Sequence, residues 1–383
     1  MSYLMYLNHY SIRQCEAQYL SVMYEGLCKG LDAHYILSQD YLKDYTSEKR
    51  WEIRWANNHW GYEKVKQNLK PENYTIMKKP EELMDTSNMV PSEILEYVVH
   101  NEIPTQVGTI EEILLKKDIR AGLTWVNNKC FKETLASYNI PTIHHELGPF
   151  RPTTYIPTVY VDFSGVNGET EFDKRFKEFL KVADQVPILS REELIQVISP
   201  KCSERLLEVL HETRRMYDIG VGLQVEVDTN LLLFNKGRHW VDPVLKAQMD
   251  SDMKVLVRPH PAAGYVIKPS SRLEIDDVTK GNAIDFINKC NKIYCLNSSV
   301  GLEAILLGRE AKIFGESPFT NIPNMDEETQ LKALNFAIFG YLTHRNFLFN
   351  NSYYDWRLQV IGDEKAIYLG NMKKMLEEIK RTN

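Results

Sequence analysis

The sequence predicts an α/β protein made of two alternating halves, and three observations carry that reading. From Glu93 to Gly165, and again from Val221 to Gly315, short apolar stretches alternate with amphipathic helical ones, the pattern of parallel sheets covered by helices. At 383 residues the chain is long for a single core. Polar residues and glycines gather where the strands end, and in an open parallel sheet that edge binds ligands.

Ser11–Leu31 has apolar residues at helical spacing, Ser11 as a cap and Gly30 near its end. Ala33–Ser38 reads as a strand. Thr46–Leu69 reads as a helix, either packed through its aromatic rings or offering Arg54, Trp55 and His59 to an acceptor sugar. Ser92–Asn101 is helical, and Ile110–Ile119 leads into a strand at Ala121–Val126. Asn127–Ile140 is a helix capped by Asn127 or Asn128. Ile140–Pro152 is a strand running into a loop, and Thr158–Gly165 is a further strand. Phe172–Val186, Ile188–Ile198 and Lys201–Gly220 read as helices, the last two forming a transition between halves. Val221–Asn230 reads as a strand, Asp242–Met253 as a helix and Lys254–Gly264 as a strand. Ala283–Asn291 is amphipathic, Lys292–Asn297 is a buried strand, Ser298–Gly308 a helix and Ala311–Gly315 a strand. Glu327–Arg345, an aromatic segment through Trp356 and a final helix, Asn371–Asn383, complete the chain.

A net charge of −6 argues against a broad nucleic-acid footprint. No apolar run approaches the roughly 18–20 residues of a membrane helix. Met1–Gln14 lacks the basic-then-apolar pattern of a signal peptide. The six cysteines show no paired, metal-like spacing and read as thiols of a reducing compartment. A cytoplasmic protein is expected.

Four places could carry chemistry. Asn297-Ser298-Ser299-Val300-Gly301-Leu302-Glu303 sets two hydroxyls and backbone N–H groups at a helix start, suited to the phosphate of a nucleotide sugar. Either serine alone would be an ordinary cap. Gly301 permits close approach, and Glu303 either favours the helix dipole or accepts from ribose hydroxyls. Asp228 ends a strand pattern with Gln224 and Glu226 on its face. It reads as a nucleophile at an anomeric carbon, as a base or as a cap, with Glu226 the second candidate. His260, fixed between Pro259 and Pro261, could donate to a phosphate or carboxylate beside the charge of Arg258, or be a satisfied structural histidine. His144-His145-Glu146-Leu147-Gly148-Pro149-Phe150-Arg151 reads as a site loop, with Glu146 as base for an acceptor hydroxyl. Adjacent histidines face opposite ways on a strand and no third ligand is obvious, so a metal reading is weak. No Walker A motif, GxSxG elbow or metal-binding DxD pair stands in a fitting context.

Four blocks between Ala121 and Phe319 resemble, in order, the retaining β-Kdo transferases of bacterial surface polysaccharide synthesis, the KpsC and WbbB type. They are TWVNNKCFKETLASYNIPTIHHELGPFRP with the following TVYVDFSGVN, then VGLQVEVDTN, VLVRPHPAAG, and LNSSVGLEAILLGREAKIFGESPF. The chain departs from the pattern with Asp228-Thr229 for Asp-Gln, Arg258 for lysine and Glu146-Leu147-Gly148 for Glu-Asp-Gly. It also lacks a tryptophan-rich segment at Thr320–Asn324, which brings it closer to the WbbB-like branch.

The resemblance implies a GT-B-like fold of two Rossmann-like domains facing a cleft. Residues 1–200 would form the acceptor-side domain and 201–345 the nucleotide-sugar domain. Residues 346–383 would form a helical tail packing back on the first domain. It implies CMP-Kdo as donor, a surface glycan of O-antigen or capsule type as acceptor, and retention without a metal or other cofactor. It places the catalytic aspartate on Asp228 and the loop glutamate on Glu146. The basic residue and histidine fall on Arg258 and His260, the serine and glutamate on Ser298 and Glu303. Other transferase modules or membrane-associated assembly machinery would be partners, at the inner membrane periphery. The alternatives are an inverting CMP-sialic acid or UDP-sugar transferase, and a non-catalytic nucleotide-sugar or polysaccharide-binding module.

Overall fold

The computed structural model describes residues 2–8, 10, 16–45, 56, 58–59, 65 and 67–382. Ser11, Arg54 and Trp55 lie outside the described residues, as does most of the helix read over 46–69; His59 is helical and exposed.

Twelve strands occur among the described residues. They are β1 (Ser2–Tyr6), β2 (Ala33–Leu37), β3 (Tyr74–Ile76), β4 (Ile119–Thr124), β5 (Thr142–Leu147) and β6 (Thr158–Asp162), then β7 (Tyr217–Gly222), β8 (Val255–Arg258), β9 (Leu273–Ile275), β10 (Cys290–Cys295), β11 (Glu310–Ile313) and β12 (Leu342–His344). They form a seven-stranded sheet ordered β12-β6-β5-β4-β1-β2-β3 and a five-stranded sheet ordered β11-β10-β7-β8-β9. The second sheet is parallel throughout. The predicted α/β class, with helices between parallel strands, is the fold observed. Among the described residues no helix is long and apolar enough to cross a membrane.

The chain divides into two compact units. The first comprises Met1–Glu146, Val161–Glu169 and Asn346–Gln359; the second comprises Leu147–Tyr160, Thr170–Arg345 and Val360–Asn383.

In the first unit β1 sits centrally, with Tyr3 opposite Ala33 of β2 and Ala121 of β4. Tyr3, Leu4, Met5 and Tyr6 are all buried, as expected of a parallel strand covered on both faces. The helix Lys129–Ser137 is capped by Asn128, whose side chain accepts from Phe131 N at 2.8 Å, and its Phe131 and Leu135 join the core. The helix Asn351–Gln359 belongs to this unit: Tyr3 donates to Asp355 at 2.6 Å, and Arg120 pairs with the same carboxylate.

The second unit builds its core on the sheet from Ile219, Val221, Val255 and Val257. A separate aromatic group joins Phe172, Phe176 and Phe179 of the helix Phe172–Leu180 to Phe336, at centroid distances of 5.2, 5.6 and 5.1 Å. Within it Arg175 pairs with Glu364 of the helix Glu364–Thr382 through two 2.9 Å bonds and donates to Gly340 O at 2.7 Å.

Three readings are corrected. The helix begun at Ser11 is described only from Leu20 to Cys28, and the strand β1 before it was not anticipated. The helix read over Lys201–Gly220 ends at His211, and the chain is already in β7 from Tyr217. The strand read over Val221–Asn230 ends at Gly222. Leu223 and Val225 bury as loop anchors, whereas Val227 is exposed, so the apolar alternation serves a loop instead of a sheet face.

Candidate active site

The strands of the second sheet end in register: Gly222 lies opposite Arg258 of β8 and Cys295 of β10. The loops leaving this carboxyl edge hold most of the residues read from the sequence. After Gly222 an amide clasp fixes the path. Gln224 Nε2 donates to Asn297 Oδ1 at 2.9 Å, and Asn297 N donates back to Gln224 Oε1 at 3.2 Å. Asn297 Nδ2 donates to Asn230 O at 2.9 Å and Phe234 O at 3.2 Å. The buried amide thus ties the short helix Thr229–Phe234 to the end of β10. Asp228 is the N-cap of that helix, its carboxylate accepting from Asn230 N at 3.0 Å. It stands six positions past the strand end, in a loop. Glu226 accepts from Gly264 N at 3.2 Å and so latches the loop that follows β8.

Arg258 sits where β8 ends. Its guanidinium pairs with Asp276 and donates to Gly281 O at 2.8 Å; Asp276 is shared with Lys289 at 2.7 Å. His260 is exposed. Its Nδ1 accepts from Ala262 N at 3.1 Å, so the neutral ring carries its proton on Nε2, leaving that nitrogen a donor. The backbone N of His260 donates to the Tyr265 hydroxyl at 3.2 Å, and Tyr265 stacks on Trp240 at 4.3 Å.

The helix after β10 is short, Val300–Leu306. Its first N–H groups are already engaged: Val300 N with Ser298 Oγ at 3.4 Å, Gly301 N with Ser298 O at 3.2 Å, and Leu302 N and Glu303 N with Ser299 O at 3.1 and 3.2 Å. Gly301 serves packing. A Cβ there would lie 2.9 Å from Ile313 Cδ1 and 3.2 Å from Cys295 Sγ, so glycine lets the helix settle onto the sheet.

Glu303 is the most perturbed carboxyl of the group. It is 7% exposed, and burial pushes it up to about 7; Tyr155, Arg151 and Arg258 pull the other way. Tyr155, equally buried, turns its hydroxyl toward Glu303 without closing a hydrogen bond of ordinary length with any group. Arg151 and Tyr155 belong to one turn, Tyr155 N donating to Arg151 O at 3.0 Å. The second unit therefore brings together Glu303, Tyr155, Arg151 and Arg258. Two guanidiniums surround a carboxyl that burial holds near half-protonation at neutral pH, an arrangement suited to an anionic ligand. Tyr155 was not singled out from the sequence; a tyrosine four residues after an arginine in a coil has no periodic signature.

Glu146 lies in the first unit, within β5 itself. Its neighbours His144 and His145 are core residues. Both are 1% exposed, and burial holds them down at about 3 and about 4, so they are neutral. His145 Nδ1 faces Thr124 O at 3.1 Å, and its ring stacks on Trp125 at 5.7 Å. Of the residues read as one site loop, the histidines serve packing. Among the described residues no three His, Cys, Asp or Glu side chains converge as metal ligands would.

Residues 5–171 match the family described as the glycosyltransferase 99 family N-terminal domain, and residues 209–335 match the family described as capsule polysaccharide biosynthesis protein. No curated protein matches the chain. Among solved structures, the β-Kdo 2,7 transferase of Thermosulfurimonas dismutans KpsC is similar at 18% identity and a TM-score of 0.41, over 62% of this chain and 82% of that one. The β-Kdo 2,4 transferase of the same KpsC gives 14% and 0.41, over 59% and 81%. The UDP-GlcNAc 2-epimerase of Methanocaldococcus jannaschii gives 12% and 0.31, over 88% and 92%. TM-scores this low mark a distant likeness, and the family reading rests on the two matched families. A glycosyltransferase 99 N-terminal domain match followed by a capsule polysaccharide biosynthesis match bears out the resemblance of the motifs to glycosyltransferases of bacterial surface polysaccharide synthesis.

Proposed function

We propose that the protein transfers β-Kdo from CMP-Kdo to a bacterial surface glycan, with retention at the anomeric carbon. The observation that carries this reading is the Glu303–Tyr155–Arg151–Arg258 group at the carboxyl edge of the second sheet. CMP-Kdo bears a phosphate and a sugar carboxylate, and two guanidiniums beside a buried carboxyl suit both. Ser298, Ser299 and Glu303 hold the nucleotide side, with Gly301 seating their helix on the sheet, and Arg258, His260 and Arg151 meet the anionic groups. The Asp228 carboxylate attacks the anomeric carbon; the bond to the CMP oxygen breaks and CMP leaves with the electron pair. Glu146 takes the proton of an acceptor hydroxyl, whose oxygen displaces Asp228. Two inversions give retention. The reaction belongs in the cytoplasm or at the inner face of the membrane, where nucleotide sugars are made.

A donor screen of CMP- and UDP-sugars, read by nucleotide release, tests the proposal. CMP release with CMP-Kdo alone is the expected result, together with a Kdo adduct in the intact mass. Turnover confined to a UDP-sugar, or donor binding without nucleotide release, would overturn it.

A further inference from the structure

At the opposite, amino edge of the second sheet lies a polar cavity of about 350 Å³. β7, β10 and β11 begin there, a strand's length from the loops that carry Asp228 and His260. Arg215, Lys292 and Arg309 line it with Asp218, Glu310 and Thr213. Gly308, in the left-handed region at φ +69, ends the preceding helix and sets Arg309 rigidly, with Arg309 N donating to Ala304 O at 2.8 Å.

Both guanidiniums are desolvated without adequate counter-charge. Arg309 is 8% exposed. It donates to Leu307 O at 2.9 Å and to Val209 O, and its Nε is buried with no partner. Among the described residues it forms no ion pair with a carboxylate. The Arg215 side chain is 5% exposed, with Glu212 Oε1 at 3.9 Å as its one ion-pair partner among the described residues; it also donates to Arg214 O and Glu212 O. Burial lowers both, and Arg309 falls to about 10 through burial and then repulsion from Arg215. Carbonyl dipoles soften the cost of a buried cation, but they do not neutralise it. Asp218 and Glu310 supply part of the balance, and Glu310 is already drawn to Lys292 at 3.5 Å.

We propose that this cavity binds a phosphoryl group, either on a small soluble molecule or on a lipid headgroup. A dianion in the cavity would screen the two guanidiniums from each other and reach Lys292 at the rim. Neither matched family nor the proposed transfer reaction assigns a ligand to this edge.

The test uses the full chain with inorganic phosphate, titrated calorimetrically against chloride at matched ionic strength. Saturable binding is expected. Lys292→Ala, at the half-exposed rim, should weaken it severalfold, and Arg309→Lys by about tenfold or more through loss of the guanidinium fork. Asp218→Asn should tighten it by removing a lining negative charge. Two further arms separate the sources: a hexose 1-phosphate in solution, and phosphatidylcholine vesicles with and without phosphatidic acid. Preference for either, weakened by Lys292→Ala, upholds the site and names the source. Absence of saturable phosphate binding, or binding that none of the three substitutions changes, overturns it; the rim variant decides even if Arg309→Lys fails to fold.

Discussion

Replacing Glu303 by glutamine removes a titration that the folded chain resists. The carboxyl stands at about 7 against an ordinary value of 4.5, a difference that corresponds to roughly 3 kcal/mol. Between those two values the unfolded chain has released this proton and the folded chain still holds it. The native state then binds more protons, so stability falls as pH rises through that window. Below pH 4.5 both states are protonated and nothing is lost; above about 7 the full cost is present. Glutamine keeps a neutral group of similar shape at every pH. Relative to the parent, Glu303→Gln should therefore gain up to about 3 kcal/mol between pH 5 and pH 8. Urea unfolding of both proteins at pH 5, 6, 7 and 8 measures the gap. A gap that stays constant across the series would refute the reasoning, because a carboxyl that titrates alike in both states contributes no slope.

Asp228→Asn separates chemistry from architecture: asparagine caps a helix as well as aspartate does, so stability should move by a few tenths of a kcal/mol. Nucleotide release from CMP-Kdo should fall by about a thousandfold or more; full turnover in the variant would remove Asp228 from the nucleophile role. Arg175→Met should destabilise by about 3–5 kcal/mol, since it strands Glu364 in a buried setting, and a thermal melt reads this directly. Gly301→Ala crowds Ile313 and Cys295 and should cost about 1–3 kcal/mol, offset in part by about 1 kcal/mol of helix propensity; an unchanged denaturation midpoint would show that the helix can shift.

Much of the second sheet was readable because buried parallel strands write their burial as unbroken apolar runs. KIYCLN and VLVR are such runs, and both fall where they were read. YDIGVG was missed because an aspartate and two glycines dilute the pattern. The strand was then assigned one step too late, which put Asp228 at a strand end instead of in a capped loop. SYLMY failed for another reason: five residues of mixed leucine and tyrosine suit a helix as well as a strand, and only their place at the centre of a sheet decides. The sequence pointed to Glu303 through its motif, but its protonation comes from burial, which prevails over the opposing pull of Tyr155, Arg151 and Arg258 and which no local spacing encodes. The pair HisHis drew attention as chemistry, yet both rings are filled in by the first unit's core.

Those histidines bear on how the chain comes apart. His34, His144 and His145, all in the first unit, are held down at about 4, 3 and 4 by burial. Their contribution is present above about pH 6.5 and is lost as pH falls toward those values, since the unfolded chain takes up the protons that the fold refuses. Glu303, in the second unit, works in the opposite sense. Mild acid therefore loosens the first unit while relieving the second, and mild alkali leaves the first at ease while the second carries its full charge penalty. Acidity thus acts on the two units in opposite senses through these four groups.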